Sequence, residues 1–292
     1  MSGEAAGGGP ASAAEPDSAP RRVAVIGDVG GQLTELRREL VRLGADPDTG
    51  WLPEDLTVVQ VGDLVHRGPD SAGVVALVDR LLRAHPDRWV QLVGNHEALY
   101  LGYSSFGWPQ RISPPAQRSL RRWWRSGDML GAVAVHTPDE DVLISHAGVT
   151  AGFWRTHLAG TADVFEAADR INELAASDPA AFYRSGQLLI GGPPDPAAGP
   201  LWAVSATELV PSWTGVPMPF SQVHGHTSLV DWSGHDLQPR TPIGLPVQVD
   251  PVAKHTEVRL TGGRIVGIDP EHGRHHPRQR WRAWLAPDPI TP

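Results

Sequence analysis

Cysteine is absent from the 292 residues, and its absence excludes a disulfide framework, a thiolate metal site and a cysteine nucleophile. Any metal site must therefore be built from oxygen and imidazole ligands. An excess of positive charge is also absent, because the formal net charge is −8. General nucleic-acid binding needs a surplus of Lys and Arg to neutralise phosphates, so this function is not expected.

Long apolar runs are missing as well. No run approaches the ~20 residues needed to cross a bilayer, and the N-terminus lacks the basic start and apolar core of a signal peptide. We therefore expect a cytoplasmic protein without a membrane partner. With 40% hydrophobic and 20% charged residues, the composition is that of a globular protein with a large core.

The chain divides by composition into three segments. Residues 1–21 are mainly Gly, Ala, Ser, Pro and Glu, and they predict a disordered leader. Residues 22–270 carry the apolar patterns of a folded domain, with a helical insertion expected at about 100–130. Residues 271–292 form a tail that contains His, Arg and Pro and has no clear core pattern.

A strand, turn and helix recur in the first part of the domain. The stretch "VAVIGD" precedes "QLTELRRELVRLG", in which Leu recurs at helical spacing and Gly44 is the expected stop. The stretches "LTVVQVGD" and "SAGVVALVDRLLRAH" repeat this order, and "WVQLVGNHE" supplies a third strand. Apolar strands that alternate with helices indicate an α/β fold with a parallel sheet covered on both faces.

Hairpins are expected in the second part. The stretch "GAVAVHTPDEDVLISHAGV" predicts a hairpin that turns at residues 138–141, and "FSQVHGHTS" predicts a short strand. A final hairpin is expected to turn at Gly262 and Gly263. Residues 191–200 are rich in Gly and Pro and predict a loop.

Polar side chains follow five of these apolar strands, each within a turn that contains glycine: Asp28, Asp63, Asn95, His146 and His226. Either Asp alone could equally cap the next helix, but five such positions are hard to explain by capping. Sites in open α/β sheets form at the carboxyl ends of strands, so these side chains should converge. Carboxylate, amide and imidazole ligands suit Mn, Fe or Zn. Asp63 is the natural bridge between two ions.

The motifs "GDVGGQ", "GDLVHRGPDS", "GNHE", "SHAGV" and "HGHT" resemble the ordered motif series of the calcineurin-like metallophosphoesterases. The resemblance runs from about Val23 to Asp269 and is strongest for the branch of phosphoprotein phosphatases and bacterial diadenosine tetraphosphatases. The occurrence of "GNHE" and "GDLVxRGPDS" in the same chain is highly specific for this family, whereas "HGHT" alone is not. The resemblance implies a β-sandwich of two mixed sheets flanked by helices, in an α/β/β/α arrangement.

The resemblance also implies two divalent metal ions, with Mn preferred and Fe, Zn, Ni or Mg as alternatives. Carried over residue by residue, Asp28 binds the first ion and Asp63 bridges both ions. Asn95, His146 and His226 complete the ligand set of the second ion.

The implied reaction is the attack of a metal-bound hydroxide on phosphorus. His96 matches the family's general acid, which donates a proton to the leaving oxygen. Arg67 matches the arginine that clamps the phosphate with its planar fork, and Asn95 is expected to contact the substrate too. The implied activity is that of a hydrolase acting on phosphoric ester or anhydride bonds.

Gly30 is the first departure from the family pattern. The family's first motif is GDxHG, in which the His binds the first metal, and Gly30 stands at that position. The first site would keep only Asp28 and Asp63, so weak occupancy is expected. The candidate replacements are His224, Gln32 and His66. His224 is preferred, because it shares a loop with His226.

Two further departures concern the catalytic groups. His66 stands where the family usually has an Asp that orients the catalytic histidine. A neutral His66 could still accept a hydrogen bond from His96, which is why we include it among the catalytic positions, whereas a protonated His66 would lower the pKa of His96. Val204 lies near the place where many relatives carry a second arginine for the phosphate.

We therefore expect a metal-dependent phosphoesterase that hydrolyses a phosphate monoester or a phosphoanhydride, similar to the Ser/Thr phosphatases. A symmetrical dinucleoside-polyphosphate hydrolase is the alternative, so the partner is a phosphorylated protein or a nucleotide. A catalytically degenerate member that binds a phosphorylated ligand or a protein is a further alternative, motivated by Gly30, His66 and Val204. Retention of His96 and Arg67 beside the metal ligands favours the enzyme.

Overall fold

The computed structural model describes residues 22–103, 106–234, 236–242, 244–272 and 280–287. The leader predicted for residues 1–21 lies outside the described residues. The strands are β1 Arg22–Ile26, β2 Leu56–Gln60, β3 Trp89–Leu92, β4 Met129–Leu130, β5 Ala132–His136, β6 Asp141–Ser145, β7 Ser221–His224, β8 Val230–Asp231, β9 Asp236–Leu237, β10 Val247–Asp250, β11 His255–Leu260, β12 Gly263–Gly267 and β13 Trp284–Leu285.

The helices follow the strands much as the apolar patterns predict. They are α1 Leu33–Leu43, α2 Ser71–Ala84, α3 Asn95–Leu101, α4 Pro114–Ser126, α5 Ala151–His157, α6 Val164–Ser177, α7 Pro179–Phe182, α8 Gln187–Ile190 and α9 Val210–Trp213, with a π-helical turn at Ser205–Leu209. Gly44 ends α1 in the left-handed conformation, as predicted. Asp70 begins α2 by accepting a hydrogen bond from Gly73 N. The helix expected at about 100–130 is α4.

Two mixed sheets form a sandwich, which confirms the predicted fold class. The first sheet has the order β13-β1-β2-β3-β4, in which β1 to β4 are parallel and β13 is antiparallel to β1. The second sheet has the order β10-β11-β12-β7-β6-β5, in which β12, β7 and β6 are parallel. The parallel pairs bring several strand carboxyl ends to the same edge of each sheet.

Three apolar layers hold the sandwich together. Successive residues of a strand face opposite sides, so Val25 packs between the sheets with Ile144 and Val223, while Ile26 packs under the helices with Leu36. This double burial explains why the first strands are apolar at every position. A third cluster, which includes Trp213, covers the outer face of the second sheet.

The described part of the tail belongs to the fold, and this corrects the boundary that the sequence places at residue 270. Trp284 pairs with Val25 across β13 and β1, and Trp281 is 2% exposed. The sequence pattern did not predict this strand, because so short a segment is buried only through its pairing with β1. Among the described residues, no helix has the length and apolar content to span a bilayer.

Candidate metal centre and active site

The five predicted strand-end residues meet at one edge of the sandwich. Asp28, Asp63 and Asn95 follow β1, β2 and β3, and His146 and His226 follow β6 and β7. All five side chains are buried. The convergence expected from parallel strand ends is therefore present in the fold.

The donor atoms of this group fit a divalent cation. One ligand atom from each of Asp28, Asp63 and His146 lies within 4.8 Å of the other two. The amide group of Asn95 lies 2.9 Å from His146 Nε2 and 3.1 Å from His226 Nδ1. The Nε2 atom of His226 is buried and has no hydrogen-bond partner among the described residues. A buried nitrogen without a partner in this donor group fits a divalent cation.

The ring of His146 is held in the orientation that a ligand needs. Its Nδ1 donates to the carbonyl oxygen of Val61 at 3.0 Å. Its Nε2 is therefore deprotonated and lies 3.5 Å from Asp63 Oδ1. Fixing the tautomer through the second ring nitrogen is how proteins commonly prepare a histidine ligand.

Left-handed backbone conformations cluster at this site. The φ angles of Asp63, His66, Arg67 and His226 are 52°, 72°, 61° and 66°. Each such residue other than glycine costs roughly 1–3 kcal/mol of strain and persists only where its surroundings enforce it. Strained residues concentrated in one place mark this turn region as functional rather than as a simple connection.

Glu97 helps to hold these turns in their strained conformation. Its carboxylate accepts hydrogen bonds from the backbone N–H of Asp63 at 2.7 Å and from those of Leu64 and Gly94 at 3.0 Å. The side chain is fully buried. Sequence reasoning did not assign Glu97 a role, although its place in "GNHE" was a signal. It ties the turns after β2 and β3 together.

Glycines let the loops approach the two aspartates closely. A Cβ atom at Gly225 would collide with Asp28 Oδ1, and one at Gly94 would collide with Asp63 Oδ1. The backbone N–H of His226 donates to Asp28 Oδ1 at 3.0 Å, and that of His96 donates to Asp63 Oδ1 at 2.9 Å. Each carboxylate is therefore oriented by a neighbouring loop.

Three buried carboxylates share this edge of the sheets. Burial, followed by the charges of Asp269 and Asp63, raises the pKa of Asp28 well above its usual range. Burial also raises the pKa of Asp269, to about 6. The pKa of Asp63 would rise by burial too, but His96 and His146 lower it to about 2. A divalent cation would relieve the repulsion among these groups.

Asp269 was missed in the sequence. It lies two residues beyond β12, which is parallel to β7, so its position obeys the same strand-end rule as the other five. Its side chain is 5% exposed and lines the same pocket as Asp28 and Asp63. The apolar run "RIVGID" contained the signal.

The predicted catalytic histidines are in contact. His66 Nδ1 lies 2.6 Å from His96 Nδ1, and His66 Nε2 lies 2.6 Å from the hydroxyl oxygen of Tyr100. Burial lowers the pKa of His66 to about 3 and that of His96 to about 4, although Asp63 acts in the opposite direction on both rings. Both rings are withdrawn from water, which disfavours their protonated forms.

Arg67 is fixed at the mouth of the site. Its Nη1 donates to the carbonyl oxygen of His272 at 3.2 Å, and its guanidinium lies 5.4 Å from the centre of the Trp108 ring. It lines a pocket of about 200 Å³ together with Asp28, Asp63 and His226. A cationic fork beside the carboxylates is placed to hold an anion next to a metal centre.

His224 does not join this group, which corrects the preferred replacement for the missing first-motif histidine. Its Nδ1 donates to the carbonyl oxygen of Gly225 at 2.7 Å, and its Nε2 lies 3.4 Å from Ser205 Oγ. Both ring nitrogens therefore face partners outside the pocket. Gln32 is buried, its Nε2 has no hydrogen-bond partner within the described part of the chain, and it does not line the pocket. His66 is engaged by His96 and Tyr100.

A wider groove continues from the pocket. Its volume is about 580 Å³, and it shares Leu188, Thr227 and Glu271 with the smaller pocket. Val204, where a second phosphate arginine was expected, lies in this groove together with Arg240. The groove is therefore the larger of the two adjoining cavities.

The chain matches known proteins in the region that carries the site. The model of the calcineurin-like phosphoesterase family matches residues 21–238. A symmetrical bis(5'-nucleosyl)-tetraphosphatase of Pectobacterium carotovorum is 33% identical over 136 residues, which are 43% of this chain and 43% of that protein. Serine/threonine-protein phosphatase 1 of Salmonella typhimurium is 39% identical over 82 residues, which are 28% of this chain and 32% of that protein.

Solved structures share the fold. A cold-active protein tyrosine phosphatase superposes with a TM-score of 0.51 at 18% identity, over 87% of this chain and 71% of that one. At this identity the likeness concerns the fold. The chain spans less than half the length of the curated relatives named above.

Proposed function

Because the chain belongs to the calcineurin-like phosphoesterase family, we propose that it is a metal-dependent hydrolase of a phosphate monoester or phosphoanhydride. One observation carries this proposal. The ligand atoms of Asp28, Asp63 and His146 lie within 4.8 Å of one another, and the cationic Arg67 lines the same pocket as Asp28 and Asp63. This combination of metal donors with an anion clamp is what phosphoryl transfer requires.

The residues that would hold the metal ions are the buried strand-end group. Asp28 and Asp63 would hold the first ion, and Asp63, Asn95, His146 and His226 would hold the second. When bound, divalent cations polarise phosphoryl oxygens and lower the pKa of a coordinated water. Oxygen and imidazole donors are suited to Mn, which we propose as the preferred ion, with Fe, Zn, Ni and Mg as alternatives.

The side chains around the metal centre have separate tasks. Arg67 holds the phosphate with its planar fork, and we propose that Asn95 contacts it as well. His96 donates a proton to the leaving oxygen, and a bound phosphate raises the pKa of this ring by its negative charge. His66 and Tyr100 position the ring of His96. The burial of the site keeps bulk water away from these groups.

The test of this proposal is hydrolysis by metal-stripped protein to which Mn, Mg, Zn, Fe or Ni is restored singly. The substrates are p-nitrophenyl phosphate, a phosphoserine peptide and diadenosine tetraphosphate. Metal-dependent turnover of at least one of them is expected, and an Asn95→Ala variant should bind fewer ions per chain. Clean metal binding without turnover of any substrate would overturn the proposal and favour a degenerate, ligand-binding member.

A symmetrical dinucleoside-polyphosphate hydrolase is the second candidate. The relative from Pectobacterium carotovorum carries that name, and the groove of about 580 Å³ that adjoins the pocket has room for a nucleoside. This candidate predicts a kcat/KM for diadenosine tetraphosphate well above that for p-nitrophenyl phosphate, with ADP as the product. Turnover of the phosphopeptide alone would favour a protein phosphatase.

A further inference from the structure

One histidine outside every recognised motif faces the carboxylate pocket. His272 is 2% exposed, and neither of its ring nitrogens makes a hydrogen bond of normal geometry with the described residues, although the ring lies near the backbone of Asp28. It lines the same pocket as Asp28, Asp63 and His226. A buried imidazole without well-formed hydrogen bonds is costly unless something else satisfies it.

The ring of His272 lies in the space beside Gly30. A Cβ atom built on Gly30 would lie 3.2 Å from Cδ2, 3.3 Å from Cβ and 3.5 Å from Cγ of His272. The position where a histidine was expected from the sequence therefore carries no side chain, and an imidazole from elsewhere in the chain stands directly against it. The two residues are 242 positions apart (272 − 30).

The loop that carries His272 is anchored over the site. Arg67 Nη1 donates to the carbonyl oxygen of His272 at 3.2 Å, and the backbone N–H of Glu271 donates to Asp269 Oδ1 at 2.7 Å. Asp269 is itself buried in the pocket. Since both ends of the short segment 269–272 are tied to the site, the ring of His272 is held where it stands.

We propose that His272 supplies the imidazole ligand of the first metal site, in place of the side chain that Gly30 lacks. The first ion is then held by Asp28, the bridging Asp63 and His272, and Asp269 contributes negative charge beside them. This inference rests on the metal dependence that the proposed function assumes. It gives the first site three donors of the kinds that Mn and Fe accept.

The first experiment counts metal ions. The wild type, His272→Ala and the control His136→Ala are stripped, titrated with Mn and analysed for bound metal per chain and for the dissociation constant of each site. His136 is an exposed histidine paired with Asp141, so the control removes an imidazole that does not line the pocket. We expect His272→Ala to bind about one ion per chain, whereas the wild type binds about two. The affinity of the first site should be weaker by at least about 100-fold, because loss of an outer-shell partner alone can cost that much.

The second experiment moves the imidazole back to residue 30. Gly30 has a φ of 51°, and histidine tolerates this region better than most residues. Gly30→His alone crowds His272 and should not improve metal binding. The double variant Gly30→His with His272→Ala should regain much of the first-site affinity, whereas Gly30→Ala with His272→Ala, which has the same backbone strain without the ring, should not.

Two results would overturn the inference. One is a folded His272→Ala protein, judged by circular dichroism and melting temperature, that keeps both ions at wild-type affinity. The other is stronger first-site binding in Gly30→His while His272→Ala has no effect, because residue 30 would then be an open ligand position. Metal binding as expected without any hydrolysis would instead contradict the proposed function and leave this inference standing.

Discussion

His66 Nδ1 and His96 Nδ1 lie 2.6 Å apart, so one proton must lie between them. The N–H of Ile112 donates to the hydroxyl oxygen of Tyr100 at 3.3 Å, which leaves the Tyr100 O–H available to donate to His66 Nε2. His66 then donates from Nδ1 to His96 Nδ1, which is the reverse of the direction expected from the sequence. In this arrangement His96 carries its own proton on Nε2, the nitrogen that lies 3.8 Å from Asp63 Oδ2.

Replacement of His66 tests its positioning role. His66→Ala should lower kcat by about 10- to 100-fold with little change in KM, because the ring of His96 loses its fixed tautomer and orientation. His66→Asp should retain more activity and shift the pH profile of kcat to higher pH, because a carboxylate raises the pKa of the neighbouring His96. Tyr100→Phe should change kcat in the same direction as His66→Ala, by a smaller factor.

The measurement for these variants is kcat against pH, together with the bound metal per chain. The metal content should stay at the wild-type value in all three variants, because none of these side chains is a proposed ligand. An unchanged pH profile in both His66 variants would show that His66 only fills space.

Arg67→Lys tests whether the planar fork, and not the charge alone, holds the phosphate. The variant keeps the positive charge but loses the bidentate geometry, so kcat/KM should fall by about 10- to 100-fold and inhibition by inorganic phosphate should weaken. Arg42→Lys is the matched control, since Arg42 pairs with Glu39 on α1 and does not line the pocket. Equal phosphate inhibition in wild type and Arg67→Lys would contradict the assigned role.

The strand ends were predictable because they depend on local pattern. Apolar runs fix the strands, parallel pairing fixes the common edge, and a polar residue directly after a run must then lie at that edge. Asp28, Asp63, Asn95, His146 and His226 all follow this rule. Asp269 follows it too, but the sequence predicts its strand only as part of a hairpin, and the parallel pairing of β12 with β7, which brings Asp269 to this edge, is not encoded locally.

The replacement for the missing histidine was not predictable in the same way. His224 was preferred because it shares a loop with His226, but β7 ends at His224 and the chain then turns at His226, which has a φ of 66°. The two side chains therefore do not share a face. His272 comes to the site through long-range contacts, such as its carbonyl bond with Arg67, which no local pattern encodes.

Gly225→Ala tests the close approach of the β7 loop to the first aspartate. The added Cβ would collide with Asp28 Oδ1 and would lie 2.8 Å from Val61 Cγ2, so Asp28 must move. We expect loss of metal at the first site and a lower melting temperature, since a strained core substitution costs typically about 1–3 kcal/mol. Gly107→Ala is the control, because none of the residues that the structure describes lies within 4 Å of a Cβ atom there. Wild-type metal binding by Gly225→Ala would contradict the assigned position of Asp28.

His85 gives a prediction about stability against pH that does not involve the active site. It caps the C-terminus of α2, its Nε2 accepts from the backbone N–H of Leu52 at 3.2 Å, and Arg88 Nη2 lies 2.8 Å from its Nδ1. Burial, followed by the charge of Arg88, lowers the pKa of this ring from 6.5. A protonated ring could accept neither bond, so the folded state favours the neutral form.

The folded state binds this proton less readily than the unfolded state does. The stability that neutral His85 contributes is therefore fully present above pH 6.5, the ordinary pKa of histidine, and it is lost as the pH falls through the lower pKa of the folded state. His85→Gln keeps a side-chain oxygen for the Leu52 N–H and does not titrate. Urea unfolding at about pH 7.5 and about pH 5.5 should show a smaller loss of unfolding free energy in the variant than in the wild type. The other titrating groups are common to both proteins and cancel in this difference, so an equal loss in the two proteins would show that His85 is not responsible.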